Sequence, residues 1–148
     1  MLAIEKDKIC HWFSATKQAL LGTGHRRLVV LSGPLDWSNT IAQTLVSYFN
    51  QQNKHKRNLV WQAWGNGFLN KESVTQINYR HYLGTENELV FYADTTFHPD
   101  AFAALSGTLI AGGIMVWFCP SISQSSADID LTDSLFIKRV LDKARRDG

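Results

Sequence analysis

The feature that most constrains this chain is a regular alternation of amphipathic and wholly apolar segments, each cut off by glycine, proline or a polar cluster. Arg27-Leu-Val-Val-Leu-Ser-Gly33 carries an unbroken run of apolar residues and stops at Gly33-Pro34. Leu59-Val-Trp-Gln-Ala-Trp64, Glu88-Leu-Val-Phe-Tyr-Ala-Asp94 and Ile114-Met-Val-Trp-Phe-Cys119 are runs of the same kind. A short apolar run without alternation is what a strand buried on both faces needs, as in a parallel sheet.

The stretches between these runs have helical spacing. In Glu5–Leu21, the residues Ile9, Trp12, Phe13, Thr16 and Leu20 share a face, and Gly22 and Gly24 end the helix. Ser38 or Asn39 is placed to cap a second helix with Ile41, Leu45, Tyr48 and Phe49 on one face. Ser73 is placed to cap a shorter helix holding Val74, Ile77 and His81 and ending near Gly84. Pro99 suits the first turn of a helix with Phe102, Leu105 and Leu109, stopped by Gly112-Gly113. After a polar loop from Ser121 to Asp130, Ile137, Val140, Leu141 and Ala144 line a last, basic helix. Strands alternating with helices predict right-handed crossovers. The expectation is an α/β, three-layer, Rossmann-like or flavodoxin-like domain with a mainly parallel sheet of about four strands, filling residues 1–148 as a single domain.

Charge and cysteine usage narrow the function classes. Fifteen Lys/Arg against thirteen Asp/Glu give a net charge of +2, too small to announce nucleic-acid binding. The cations cluster, however, at His25-Arg26-Arg27, at Lys54-His55-Lys56-Arg57, and at Lys138-Arg139, Lys143 and Arg145-Arg146. These clusters read either as solvated surface or as a stripe for RNA phosphates. Cys10 and Cys119 lie far apart without metal-ligand spacing, and Cys119 ends an apolar run as a small buried hydrophobe. That usage fits a reducing cytoplasm. The charged N-terminus has no signal-peptide core, and no apolar run is long enough to span a membrane.

In parallel sheets ligands bind at the carboxyl ends of strands, so the loops there are the places to look for chemistry. Ser32-Gly33-Pro34-Leu35-Asp36-Trp37-Ser38-Asn39-Thr40 contains neither GxGxxG nor GxxxxGK[ST]. Its hydroxyls near a helix start leave open a flavodoxin-like phosphate loop beside the plainer reading of a capped helix. Gly22-Thr23-Gly24-His25 precedes a strand and reads as a helix stop. Asp94 ends a strand where a receiver domain holds its phospho-acceptor, but the further acids for Mg²⁺ reduce to Asp36, and capping is the alternative. His11, His25, His55, His81 and His98 show no metal or catalytic spacing, and no GxSxG elbow is present. Spacing alone builds no catalytic, cofactor or metal site.

The segment from Phe97 to Pro120 is more specific. Phe102-Ala-Ala-Leu-Ser-Gly-Thr-Leu109, followed by Ala111-Gly112 and an apolar strand ending in Pro120, resembles the N-terminal domain of bacterial tRNA(Met) cytidine acetyltransferases. Arg26-Arg-Leu-Val-Val-Leu-Ser-Gly33, Leu83-Gly84, the strand ending at Asp94, and Phe136-Ile-Lys-Arg-Val-Leu141 are similar in the same order. The resemblance implies a non-catalytic N-terminal accessory domain of a longer cytoplasmic enzyme. Helicase-like ATPase and GNAT modules would follow it, using ATP or GTP and acetyl-CoA on the wobble cytidine of elongator tRNA(Met). This chain alone is then no enzyme and holds no cofactor of its own. The residues expected to meet RNA are Arg26, Arg27, Lys54, Lys56, Arg57, Lys143, Arg145 and Arg146. Gly107 is expected to let its helix pack closely on a neighbour, and Trp12, Trp37 and Trp64 are the aromatics available for a docking patch. The contrasting expectation is a stand-alone flavodoxin-like or receiver-like module for a small ligand.

Overall fold

A computed structural model describes residues 3–52, 58–61, 73–74, 78–93, 97–119 and 146. Helix α1 (Ala3–Leu20) leads into β1 (Arg27–Ser32), then α2 (Leu35–Gln52) and β2 (Asn58–Trp61). A two-residue β3 (Ser73–Val74) and a 3₁₀ turn (Tyr79–Tyr82) precede β4 (Asn87–Ala93), α3 (Pro99–Gly107) and β5 (Leu109–Cys119). The strands form one sheet in the order β1-β5-β4-β2-β3, and each pairing is parallel. The expected α/β layering therefore stands. The sheet has three longer strands, β1, β5 and β4, with the short β2 and β3 beyond them.

The unbroken apolar runs are explained by burial on both faces. Leu89, Phe91 and Ala93 of β4 and Ile114, Val116 and Phe118 of β5 pack with Phe13 and Leu20 of α1 and Ile41, Leu45 and Phe49 of α2. The alternate residues, Val90 and Tyr92, and Met115, Trp117 and Cys119, pack on the other face against Ala101 and Leu105 of α3. Each fully buried large side chain contributes about 1.5–3 kcal/mol. The register centres this core, since Val116 pairs with both Val29 and Phe91. Crossover α2 links β1 to β2 on one face, while α3 links β4 to β5 in the opposite direction on the other. Reversing direction while keeping right-handed crossovers puts helices on both faces.

Four local expectations are corrected. First, α2 starts at Leu35, directly after Gly33-Pro34, and not at a cap on Ser38 or Asn39. Pro34 has the preset φ of a helix start, its carbonyl accepts the Ser38 N–H at 3.0 Å, and Ser38 is buried inside the helix. Second, Ser73 and Val74 are strand, paired with Val60 and Trp61, and helical backbone is confined among the described residues of that region to the 3₁₀ turn. β-branched Val74 gains more from sheet burial than from a helix turn.

Third, α3 ends at Gly107. Thr108 turns its hydroxyl back to the Leu105 carbonyl at 2.7 Å, and its own carbonyl accepts the Asn87 N–H at 2.8 Å, which starts the strand. Gly112-Gly113 therefore lie inside β5, in a bulge. Pairing steps from Asn87↔Leu109 to Leu89↔Ile114, so β5 carries extra residues there. Gly112 takes φ +80° in this bulge, and a Cβ on Gly113 would sit 2.9 Å from the Ile110 carbonyl. Fourth, Gly107 makes no close approach, because a Cβ there would meet nothing within 4 Å. The last helix and its apolar face, the Ser121–Asp130 loop, Trp64, Ile77 and Asp94 lie outside the described residues.

Candidate functional site

The ends of the sheet differ in what they expose. At the carboxyl end of β1, the Gly33 N–H donates to the Cys119 carbonyl at 3.3 Å and so extends the β1–β5 ladder. The Trp37 ring lies directly on Gly33, and a Cβ added to Gly33 would fall 2.4 Å from the ring atom Cε3. Hydroxyls on the first turns of α2 bond back to the helix. Thr40 donates to the Asp36 carbonyl at 2.9 Å and Thr44 to the Thr40 carbonyl at 2.8 Å. The loop after β1 is thus a tight turn roofed by indole, with the Trp37 ring occupying the space over Gly33. This disfavours the flavodoxin-like reading.

Cys119 sits at the same end. Burial pushes its thiol up to about 12, so it stays protonated and serves as a core residue. Cys10, on α1, is half-buried, and desolvation, helped by Asp7, raises its thiol as well. His11, His25 and His81 are exposed, and the backbone N–H of half-buried His98 donates to the Tyr92 hydroxyl at 2.9 Å. Among the described residues, no three His, Cys, Asp or Glu side chains are grouped to hold a metal.

The amino end is open and polar. Gly22 and Gly24, at φ +75° and +72°, reverse the chain after α1, as expected of a helix stop. Thr23 locks the turn by donating its hydroxyl to the Leu20 carbonyl at 2.8 Å and accepting the His25 N–H at 3.1 Å. The His25 carbonyl accepts the Gly112 N–H at 2.7 Å, which ties the turn to the β5 bulge. His25, Arg26 and Arg27 emerge from it exposed.

Beside them a cleft of about 290 Å³ opens between the C-terminal halves of α1 and α2 and the bulge. Phe13, Tyr48 and Phe49 contribute its aromatic walls, and Leu21 and Gly112 also line it. Inside, Lys17 Nζ lies 3.1 Å from Glu88 Oε2 and 4.6 Å from the Phe49 ring centroid. Lys17 is therefore spent on internal neutralisation and does not add to the Arg26–Arg27 charge.

Of the residues expected to meet RNA, the structure places Arg26 and Arg27 side by side and Arg146 on an exposed helical position. Lys54, Lys56, Arg57, Lys143 and Arg145 lie outside the described residues. Of the aromatics, Trp12 is exposed (41%), whereas Trp37 is committed to Gly33. Sequence reading missed the Lys17–Glu88 pair, whose partners are 71 positions apart, and the hydrogen bond from Arg80 Nε–H to the Tyr79 hydroxyl. The adjacency of Tyr79 and Arg80 was the available signal for the second; nothing local announced the first.

The fold and the filled β1 loop define a parallel α/β domain in which the usual ligand position of the first strand is taken by packing. The chain belongs to the family of N-terminal domains of tRNA(Met) cytidine acetyltransferase TmcA, whose model matches residues 4–148. The family sets the chain in the context of tRNA modification by acetyl transfer. Comparison with curated proteins gives no match. No helix among the described residues is long and apolar enough to cross a membrane.

Proposed function

We propose that this chain is the non-catalytic N-terminal domain of an enzyme that acetylates N4 of the wobble cytidine of elongator tRNA(Met), and that it helps to hold the tRNA and to dock the ATPase module. The observation that carries this reading is the family match over residues 4–148, joined to a β1 loop filled by Trp37. Catalysis and the binding of acetyl-CoA and ATP or GTP then belong to GNAT and helicase-like modules of the same polypeptide, in the cytoplasm. Within the domain, Arg26 and Arg27 project into solvent without a carboxylate partner in the described salt bridges, so they are free to meet phosphates. Lys54, Lys56, Arg57, Lys143, Arg145 and Arg146 complete the proposed set.

The test is tRNA binding by the full-length enzyme across a salt series, with Arg26→Glu/Arg27→Glu and with Lys54→Glu/Lys56→Glu/Arg57→Glu. Each lost phosphate contact should lower affinity and flatten the log–log salt slope by about 0.7–0.9. Unchanged affinity and slope in both variants would remove the tRNA-contact part of the proposal. Docking of the ATPase module would then be tested by whether the separately purified modules still associate.

A further inference from the structure

The two faces of β1 are covered unequally. Val29 is buried on the face that α1 and α2 cover. Val30 packs on the α3 face, and strand alternation puts Leu28 there as well. Their partners on β5, Met115 and Trp117, are buried, whereas Leu28 is 44% exposed and Val30 half-buried. Helix α3 packs on β4 and β5, so the apolar face runs on past it to an edge strand.

The chain carries a segment that suits this face. In residues 134–146, Ile137, Val140, Leu141 and Ala144 recur at helical spacing, with Lys138, Arg139, Lys143, Arg145 and Arg146 between them. Arg146 is helical and exposed. A helix this short is marginal in water unless its apolar stripe is packed. The segment is tethered to Cys119, at the carboxyl end of β5 and beside β1 in the ladder. A chain that leaves β5 toward β1 with the hand of the α3 crossover arrives on the α3 face, where it meets Leu28 and Val30. Tethering gives an effective concentration of about millimolar, which favours this segment over a free partner or a second copy.

We infer that residues 134–146 form a helix docked beside α3 over β1, antiparallel to the strand, with Val140, Leu141 and Ala144 toward Leu28 and Val30. Such a helix is about 20 Å long, which matches the 6 residues of β1 at about 3.3 Å each. Its C-terminal end then reaches the start of β1, and Lys143, Arg145 and Arg146 join Arg26 and Arg27 in one basic face. The use of that face on phosphates rests on the tRNA-contact reading above; the docking does not.

Pulsed EPR distances on this chain test the docking without RNA. Cys10→Ser removes the half-buried thiol, and Cys119 is buried. Spin labels go on Arg146→Cys paired with either His25→Cys, at the amino end of β1, or Asp36→Cys, beyond its carboxyl end; all three positions are exposed. The distance to His25 should be shorter than the distance to Asp36 by about 10 Å or more. Leu28→Asp should broaden the His25 distribution. The reverse order, two equally broad distributions, or a His25 distance unmoved by Leu28→Asp overturns the docking. So does a distance that vanishes on dilution with unlabelled chain, the mark of a second copy. tRNA(Met) binding by the full-length enzyme separates the two readings. If the distances hold but Arg26→Glu/Arg27→Glu and Arg145→Glu/Arg146→Glu leave affinity and salt slope unchanged, the helix is docked and the tRNA contact falls. If the distances fail while those variants weaken binding, the docking falls and the contact stands.

Discussion

The carboxyl and amino ends of this sheet are made from similar materials and put to opposite uses. At the end of β1, glycine permits an indole to lie on the backbone and close the turn. At the start of β1, glycines permit a reversal that throws His25, Arg26 and Arg27 into solvent beside an open cleft. Parallel sheets usually place ligands at the carboxyl ends of their strands. Here that position after β1 is packed by Trp37, and Arg26 and Arg27 are exposed at the strand's other end. A fold family thus predicts where a site can form, while individual residues decide whether it does.

The sharpest way to break this contrast is to disturb the indole roof. Gly33→Val drives Cβ into the Trp37 ring and should cost about 2–3 kcal/mol, read as a fall in Tm of about 5–10 °C. Pairing it with Trp37→Ala should recover part of the loss, a non-additivity expected only if the two residues touch.

Cys119, at the same end, gives a pH signature. Its folded thiol titrates near 12 against an ordinary 9.0, so the unfolded chain loses that proton first as pH rises. The stabilisation is complete below about pH 9 and is lost between there and about pH 12. Cys119→Ala should show a shallower alkaline fall in stability than the parent.

Effects at the amino end should be smaller. Gly112→Ala forces a left-handed φ on a residue with a Cβ and should cost about 1–2 kcal/mol, measured by denaturant midpoint. A double-mutant cycle on Lys17→Ala and Glu88→Ala should give a coupling of about 1 kcal/mol or less, shrinking with salt, because the pair is partly solvated. A coupling several times larger would make the cleft a rigid structural centre and blur the contrast between the two ends.

The sequence announced the layers well, because burial on both faces leaves unbroken apolar runs such as Ile114–Cys119 that can be read without knowing the fold. It also announced the Gly22–Gly24 reversal, a local property of backbone angles. It misplaced the end of α3, because Gly112-Gly113 looks like a helix stop whether it ends a helix or bends a strand. Only the pairing of β4 with β5 decides between these, and that is a long-range contact. The same limit hid Trp37 on Gly33. Spacing could show the absence of phosphate-loop motifs, but not the ring that fills the space. The cations were legible as clusters, of which the described residues show Arg26, Arg27 and Arg146 exposed. Their proposed use on tRNA is a matter of chemistry between molecules, which a single sequence does not record.

The central claim is that the ligand position after β1 is closed by the protein's own packing. The most direct measurement is a thermal-shift series on this chain with FMN, ATP, acetyl phosphate and acetyl-CoA. The account predicts that Tm stays within about 1 °C of the ligand-free value at millimolar concentrations, since a ligand at a hundred times its Kd would stabilise by about 2.7 kcal/mol. A rise of about 5 °C or more with any of them, lost on Gly33→Val, would place a ligand at that turn and contradict it.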